Sequence, residues 1–345
     1  MSTFRLLADD LTGALDSAAR FVPRFGPIPV HWRAATDAPC AAYDSATREA
    51  ADPLPAMRRW APELGAADLA FKKVDSLLRG HVAAEIAACL RHGGFAHAII
   101  APAFPYQGRI TSGGRQFAHG TDVGVDLDLA FARLGIPLSP CRPTDPASPG
   151  VSLWDAIDEA DLDQIALAGR SLRGPVLWCG TGGLAAALAA RPQLPQAALA
   201  LPILALIGSD HPATTAQFAA SPTRVAVGSP AGARVLSQMI AGVNAAIRVD
   251  VPTDTARAAA AEHIAATLSA LATTIARPGT LLVTGGETLR GLCDAIGADH
   301  LVVTGEREPG IPVARMAGGL WDGLTVIAKS GAFGKPDFLA RLLAD

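Results

Sequence analysis

Aromatic residues are scarce, at 5% of 345 residues with only two tyrosines, so large ring anchors are few in a chain that is otherwise half hydrophobic by count. An excess of charge of either sign is missing too: Lys+Arg 29 against Asp+Glu 32 leaves a net charge of -3, with no Lys/Arg run and no basic-aromatic stripe. Phosphate-rich partners need a basic field, so neither a nucleic-acid-binding nor a membrane-surface protein is expected. The five cysteines are odd in number and scattered, with no C-x-x-C pair, and read as reduced thiols of a cytoplasmic protein. Long apolar runs are absent; the longest, AALALPILALIG, carries Pro202 and is too short to span a bilayer. The first residues lack a basic segment, and Asp9 and Asp10 interrupt the apolar run, so no secretion signal is expected. Heptads, short-period repeats and low-complexity tracts are likewise missing.

What is present is a repeated alternation of short apolar strands and helices. The length suits roughly two domains. We expect two α/β domains with mainly parallel sheets flanked by helices and an interdomain cleft. The boundary falls in the Pro-containing, aperiodic stretch 191–199, giving domains 1–198 and 199–345. Phe4–Ala8 reads as a strand that stops at Asp9 and Asp10, followed by a Thr12-Gly13 turn and a helix. A strand ending near Asp44 is expected to run into a capped helix, with Pro53, Pro55 and Pro62 breaking the next piece. Residues 68–74 read as a strand, 77–91 and 153–169 as helices, 98–101 as a strand opening into a long Pro/Gly-rich loop.

Chemistry-bearing residues gather at those strand ends, where open α/β sheets mount their sites. The acidic pair Asp9 and Asp10 ends the first strand. Lys72, Lys73, Asp75, Ser76 and Arg79 cluster at a strand-to-helix junction, and Asp75 and Arg79 lie four apart, as helix-face partners do. The loop after 101 carries Arg109, Thr111, Ser112 and Arg115; guanidinium groups there suit a carboxylate or phosphate. In the second half, Gly208-Ser209, Thr284-Gly285-Gly286-Glu287-Thr288 and Lys329-Ser330-Gly331 end three strands. Small residues let backbone N–H groups approach an anion, helix N-termini favour it, and lysine adds a point charge. Together they suggest a nucleotide phosphate site.

Two other patterns compete. Gly180-Thr181-Gly182-Gly183-Leu184-Ala185 fits the dinucleotide fingerprint G-x-G-x-x-A, but the acid for the ribose comes only at Asp210, rather late. The stretch 323–330, GLTVIAKS, has Ala328 where a P-loop needs glycine and a β-branched middle that cannot curl around a phosphate, so it is not one.

The segments ADDLTGALD, KKVDSLLRGHVAAEI, APAFPYQGRIT, GTGGLAAALA, TGGETL, EPGIP and KSGAFG, in this order, resemble the four-carbon acid sugar kinases. The likeness covers nearly the whole chain. It implies an N-terminal sugar-binding and a C-terminal nucleotide-binding domain, and ATP- and Mg²⁺-dependent phosphorylation of the 4-hydroxyl of D-threonate, D-erythronate or 3-oxo-tetronate. By that resemblance Asp9, Asp10, Lys72, Lys73, Asp75, Ser76, Arg79 and Arg109 face the acid sugar. Ser209, Gly285, Gly286, Glu287, Thr288 and Gly331 contact ATP. On this reading Asp10 takes or orients the hydroxyl proton, with Asp75 as its substitute, and Arg79 and Arg109 with Lys72 or Lys73 hold the substrate carboxylate. Lys329 steadies the transferring phosphate, and closure is expected about Pro192–Pro195. The sequence carries no carboxylate cage for a protein-held metal, so Mg²⁺ would come with the nucleotide, aided by Glu287. The 180–185 turn becomes part of the sugar domain. The small sugar acid is the expected partner, and a homodimer is left open. Two other classes stay in play: an NAD(P)-dependent oxidoreductase and a non-catalytic sugar-acid-binding protein.

Overall fold

The computed structural model describes residues 2–65, 67–191, 198–228, 242–251 and 254–344. The chain forms two compact units, Met1–Gln193 and Leu194–Asp345. The hinge expected at Pro192–Pro195 lies outside the described residues.

The first unit runs β1 (Phe4–Ala8), α1 (Leu11–Phe25), β2 (Ile28–His31), β3 (Cys40–Asp44), α2 (Leu54–Gly65), β4 (Leu69–Lys73), α3 (Val82–Gly93) and β5 (His97–Ala101). A three-stranded antiparallel sheet follows, of β6 (Arg109–Ser112), β7 (Arg115–Ala118) and β8 (Thr121–Asp122). Then come α4 (Leu127–Arg133), β9 (Leu138–Cys141), β10 (Gly150–Trp154), α5 (Glu159–Gly169), β11 (Val176–Gly180) and α6 (Gly182–Leu188). The main strands lie in the order β2-β3-β1-β4-β11-β5-β10-β9, and every pair is parallel. Strands covered on both faces are mostly apolar, and all five residues of β1 and of β5 are buried, Arg5 and His97 included. Between the sheet and α2, α3 and α4 lies a core that includes Leu7, Tyr43, Met57, Trp60, Ile86 and Phe131.

Topology positions the site. From β1 the chain turns through α1 towards β2; from the adjacent β4 it turns through α3 towards β5, the other way along the sheet. Right-handed crossovers then put α1 and α3 on opposite faces, which opens a crevice at the carboxyl ends of β1 and β4. The register Ala8↔Asp44, Leu7↔Lys72 and Lys73↔Gly180 lines up the exits of β1, β3, β4 and β11.

The second unit contains β12 (Ile203–Ile207), α7 (Pro212–Ala219), β13 (Arg224–Val227), β14 (Ala245–Val249), α8 (Arg257–Ala272), β15 (Thr280–Thr284), α9 (Gly286–Ala295), β16 (His300–Glu308), β17 (Ile311–Ala317), β18 (Thr325–Lys329) and α10 (Phe338–Ala344). Its strands lie in the order β13-β14-β12-β15-β18-β17-β16, parallel through β18 and antiparallel at β17 and β16. The same reversal recurs: β12 leads one way through α7 and the adjacent β15 leads the other way through α9. Ile207↔Thr284 and Thr284↔Lys329 bring the three glycine-bearing exits side by side.

Local expectations fail where backbone chemistry overrides periodicity. No helix follows Asp44 directly: its carboxylate accepts from Ala46 N at 2.8 Å, Ala46 is left-handed at φ 53°, and α2 waits until Asp52 caps Leu54 N at 2.9 Å. Pro62 then sits inside α2, tolerated because Met57, Trp60, Ala61 and Leu64 bury that helix's apolar face. Residues 77–81 are not helical either, since Leu78 and Gly80 take positive φ of 57° and 82°, and α3 starts at Val82. Gly150–Trp154 is a strand rather than the start of a helix, and Asp158 caps α5. The Pro/Gly-rich loop holds paired strands, and β14, β16 and β17 had no counterpart in the sequence reading.

Candidate functional site

In the first unit the crevice is filled with paired charge. Asp10 caps α1: its carboxylate accepts from Gly13 N at 2.9 Å and from the Thr12 hydroxyl at 2.8 Å. Arg48, on the loop leaving β3, binds Asp9 through Nε at 2.9 Å and Nη2 at 2.7 Å. Its Nη1 reaches Asp10 at 2.8 Å, and Asp75 lies 3.7 Å from Nη2. Asp75 in turn receives Arg79 Nε at 3.0 Å and Nη2 at 2.7 Å, a two-point fork, although the pair sits in a turn and not on a helix. Three carboxylates thus share two guanidinium groups.

The charges of these groups follow from burial set against partners. Burial disfavours the Asp10 carboxylate, yet Arg48, Lys73 and the Thr12 hydrogen bond outweigh it and hold it below the usual carboxylate range. Asp75 is buried as well, but the Arg79 hydrogen bonds, then the charges of Arg48, Arg79 and Lys73, pull it far lower. For Asp9, burial prevails over Arg48 and pushes its carboxyl up.

The two neighbouring lysines part company. Successive strand side chains point to opposite faces. Lys73 lies towards α1, its Nζ 2.8 Å from Val74 O and close to the open side of Gly13. Lys72 is 1% exposed and bonds to Glu85 of α3 at 2.7 Å and to Lys73 O at 2.9 Å. Lys72 was expected beside Lys73 at the acid-sugar site; strand parity instead turns its side chain under α3, onto Glu85. Ser76 and Arg109 meet, with Arg109 Nη1 donating to the Ser76 hydroxyl. Arg109 is buried and its Nε has no partner among the described residues. Gln116 of β7 donates to Ser76 O at 2.9 Å, which ties the antiparallel sheet to this turn. Asp9, Asp10, Lys73, Asp75, Ser76, Arg79 and Arg109 are therefore brought together.

The glycine turn after β11 serves packing. The Thr181 hydroxyl accepts from Gly183 N at 3.1 Å and donates to Ala103 O at 2.6 Å. A Cβ on Gly182 would stand 3.1 Å from the buried carboxyl of Asp16, a residue that would repel a dinucleotide pyrophosphate when charged.

In the second unit the groups are mostly backbone. The Thr284 hydroxyl accepts from Gly208 N at 3.0 Å and Ser209 N at 3.2 Å, while Gly285 N donates to Lys329 O at 3.0 Å. Gly285 has φ +96°, which only glycine takes readily. It opens α9 with no side-chain cap, so the N–H groups of that first turn are free of a side-chain acceptor. An added Cβ on Gly208 would collide with Thr288, and one on Gly331 would lie 2.7 Å from His211 Cβ. Lys329 is fully buried; its Nζ donates to the Thr214 hydroxyl at 2.7 Å and to Ser330 O and Gly331 O at 3.3 and 3.4 Å. Burial pulls its ammonium down to about 7. Glu287 stands exposed in the first turn of α9. Among the described residues no group of three or more His, Cys, Asp or Glu is placed to hold a metal. A single exposed carboxylate fits an ion carried by phosphate oxygens rather than one caged by protein.

Sequence reading missed Arg48, Thr47, Glu85, Gln116 and Thr214. For Arg48 a signal existed: once β3 is placed beside β1, its exit loop must share the same sheet edge.

Comparison with known proteins bears on both units. A sugar-binding N-terminal domain family matches residues 4–128, and a nucleotide-binding C-terminal domain family matches residues 204–339. The chain is 32% identical to a D-threonate kinase of Cupriavidus necator, over 95% of this chain and 94% of that one. It is 30% identical to a D-threonate kinase of Bordetella bronchiseptica (97% and 95% covered) and 28% to a 3-oxo-tetronate kinase of Methylobacterium radiotolerans (98% and 97%). A crystal structure described as a putative tRNA synthase from Salmonella typhimurium superposes with TM-score 0.73 at 20% identity, covering 99% of both chains. A Haemophilus influenzae protein superposes with TM-score 0.66 at 20% identity, covering 97% and 98%; both likenesses concern the fold. No described helix is long and apolar enough to cross a membrane.

Proposed function

Because the chain belongs to the four-carbon acid sugar kinase family and is a small-molecule kinase, we propose that it transfers the γ-phosphoryl group of ATP to the 4-hydroxyl of D-threonate or a close relative such as D-erythronate or 3-oxo-tetronate. The observation that carries this reading is the contrast in donors. The unit matched by the sugar-binding family has an arginine-rich crevice with an orphaned guanidinium nitrogen on Arg109. The unit matched by the nucleotide-binding family has an uncapped glycine helix start. A small carboxylate suits the first, since a planar fork reads it at two points. A polyphosphate suits the second, where peptide N–H groups can approach closely.

Phosphoryl transfer needs positioning and charge neutralisation more than covalent chemistry. Residues 1–198 form the sugar-acid-binding domain in this reading and 199–345 the nucleotide-binding domain. Arg79, Arg109, Ser76 and Lys73 hold the acid. Asp9 and Asp10 face its hydroxyl end. Asp10 orients the attacking hydroxyl or takes its proton, with Asp75 as the alternative; the low proton affinity of both makes orientation the stronger role. Ser209, Gly285, Gly286, Thr288 and Gly331 shape the phosphate cradle, and Lys329 steadies it through Thr214 and the 330–331 carbonyls. Glu287 would help hold Mg²⁺, which supplies neutralisation of phosphate charge when bound. Transfer requires hydroxyl and γ-phosphate to meet during turnover. A cytoplasmic location fits five free cysteines, four of them buried.

The deciding experiment is ADP release with D-threonate, D-erythronate and 3-oxo-tetronate, with an NAD(H) titration alongside. ADP formed with one of these acids and no NAD(H) binding is the expected result. Acid binding without ADP would make the protein a sugar-acid binder, and NAD(H) binding would reopen the oxidoreductase reading.

A further inference from the structure

A buried polar chain runs behind the sugar-acid crevice. The Ser45 hydroxyl lies 2.8 Å from Thr47 Oγ1, and the Thr47 hydroxyl lies 2.5 Å from Glu85 Oε1. Glu85 Oε2 receives Lys72 at 2.7 Å, and Lys72 also donates to Lys73 O at 2.9 Å. The Thr47 proton goes to the Glu85 carboxylate, and the single Ser45 hydroxyl proton has two acceptors in reach, Ala8 O at 2.8 Å and Thr47 Oγ1. Thr47 and Lys72 both donate to Glu85, which is ionised because Lys72 and the Thr47 hydrogen bond outweigh its burial. Asp44, Ser45 and Thr47 are buried and Arg48 is half-buried, and Arg48 N adds a bond to Asp9 O at 3.2 Å.

We infer that Glu85, with Lys72 and Thr47, is a positioning group that holds the 45–48 loop so that the Arg48 guanidinium gathers Asp9, Asp10 and Asp75 at the crevice. The chain spans the exits of β3 and β4 and the side of α3, the elements that frame the acid site. This inference rests on the sugar-acid kinase reading for its kinetic readout but not for its structural one.

Three variants test it. Thr47→Val keeps shape and removes the hydroxyl link; Glu85→Gln removes the central charge. The double variant Lys72→Met/Glu85→Leu replaces the buried pair by apolar groups, a change that such pairs often tolerate in stability. The expected result for Thr47→Val is a KM for the acid raised about tenfold, the scale of one lost hydrogen bond, with KM for ATP unchanged. The double variant should regain the melting temperature lost in Glu85→Gln while keeping the raised acid KM. A double variant that recovers both would reduce the network to fold stability and overturn the inference, as would wild-type acid kinetics in Thr47→Val. Trypsin cleavage after Arg48 is read in parallel and should quicken about tenfold in Thr47→Val. If the wild-type protein releases no ADP with any four-carbon acid, the kinase reading fails, and the cleavage rate alone decides the fate of the loop tether.

Discussion

The two crevices share one construction and differ in what fills it. Each opens where adjacent parallel strands send the chain in opposite directions, β1 and β4 in the first unit, β12 and β15 in the second. In the first, Arg48, Arg79 and Lys73 stand against Asp9, Asp10 and Asp75. In the second, glycines and hydroxyls set the backbone, and Lys329 is sealed beneath them. Under the proposed division of ligands, the contrast ties the choice of donor to ligand size. A four-carbon acid offers few atoms, so each must be read by a side chain of defined angle. A triphosphate offers many equivalent oxygens, which peptide N–H groups can meet only where side chains are missing.

The largest effect that could break this division is at Asp10. Asp10→Asn keeps a good helix cap and should leave the melting curve intact while kcat falls about 100- to 10,000-fold; unchanged turnover removes Asp10 from the reaction. Next come the arginines. Arg79→Lys and Arg109→Lys lose the two-point fork, and KM for the acid should rise about 10- to 100-fold with KM for ATP constant. Steady-state kinetics varying one substrate at a time would expose a contrary shift in the ATP constant.

A smaller effect is expected at Gly331. The Gly331→Ala methyl meets His211 and Ser209, so nucleotide affinity by calorimetry should drop about tenfold through displaced N–H donors, with acid affinity unmoved. If the acid constant moves instead, the two crevices do not divide the labour as proposed. The gentlest probe is pH. Lys329 titrates near 7 when folded and near 10.5 in the unfolded chain. Between those values the unfolded state holds a proton that the folded state lacks, so stability rises with pH across that window. The slope is at most about 1.4 kcal/mol per pH unit. Urea unfolding from pH 7 to 9 should show it in the wild type, and Lys329→Met should flatten it.

Much of this was readable in advance, and the reasons are physical. Five-residue apolar runs such as Phe4–Ala8 and Ile203–Ile207 announce buried parallel strands, and a strand that stops at Asp9-Asp10 or at Gly208-Ser209 advertises its own exit. What stayed hidden depends on non-local pairing. Arg48 belongs to the site only because β3 lies beside β1, a neighbour relation that no window of sequence contains. Lys72 and Lys73 look alike until the strand's alternation is set against α3. The turn at 75–80 imitates a helix because its apolar residues keep helical spacing, while Leu78 and Gly80 take left-handed backbone that spacing does not reveal.

The opposite facing of Lys72 and Lys73 carries a last consequence. Strand β4 can change by substitution but not in length, because losing or gaining one residue would send the wrong ammonium beneath α3 and leave Glu85 facing a stranger. Any widening of the acid repertoire, by evolution or in the laboratory, must therefore be sought elsewhere. The hairpin at 109–118, whose Arg109 and Gln116 dock on the turn after β4, is the segment with freedom to lengthen.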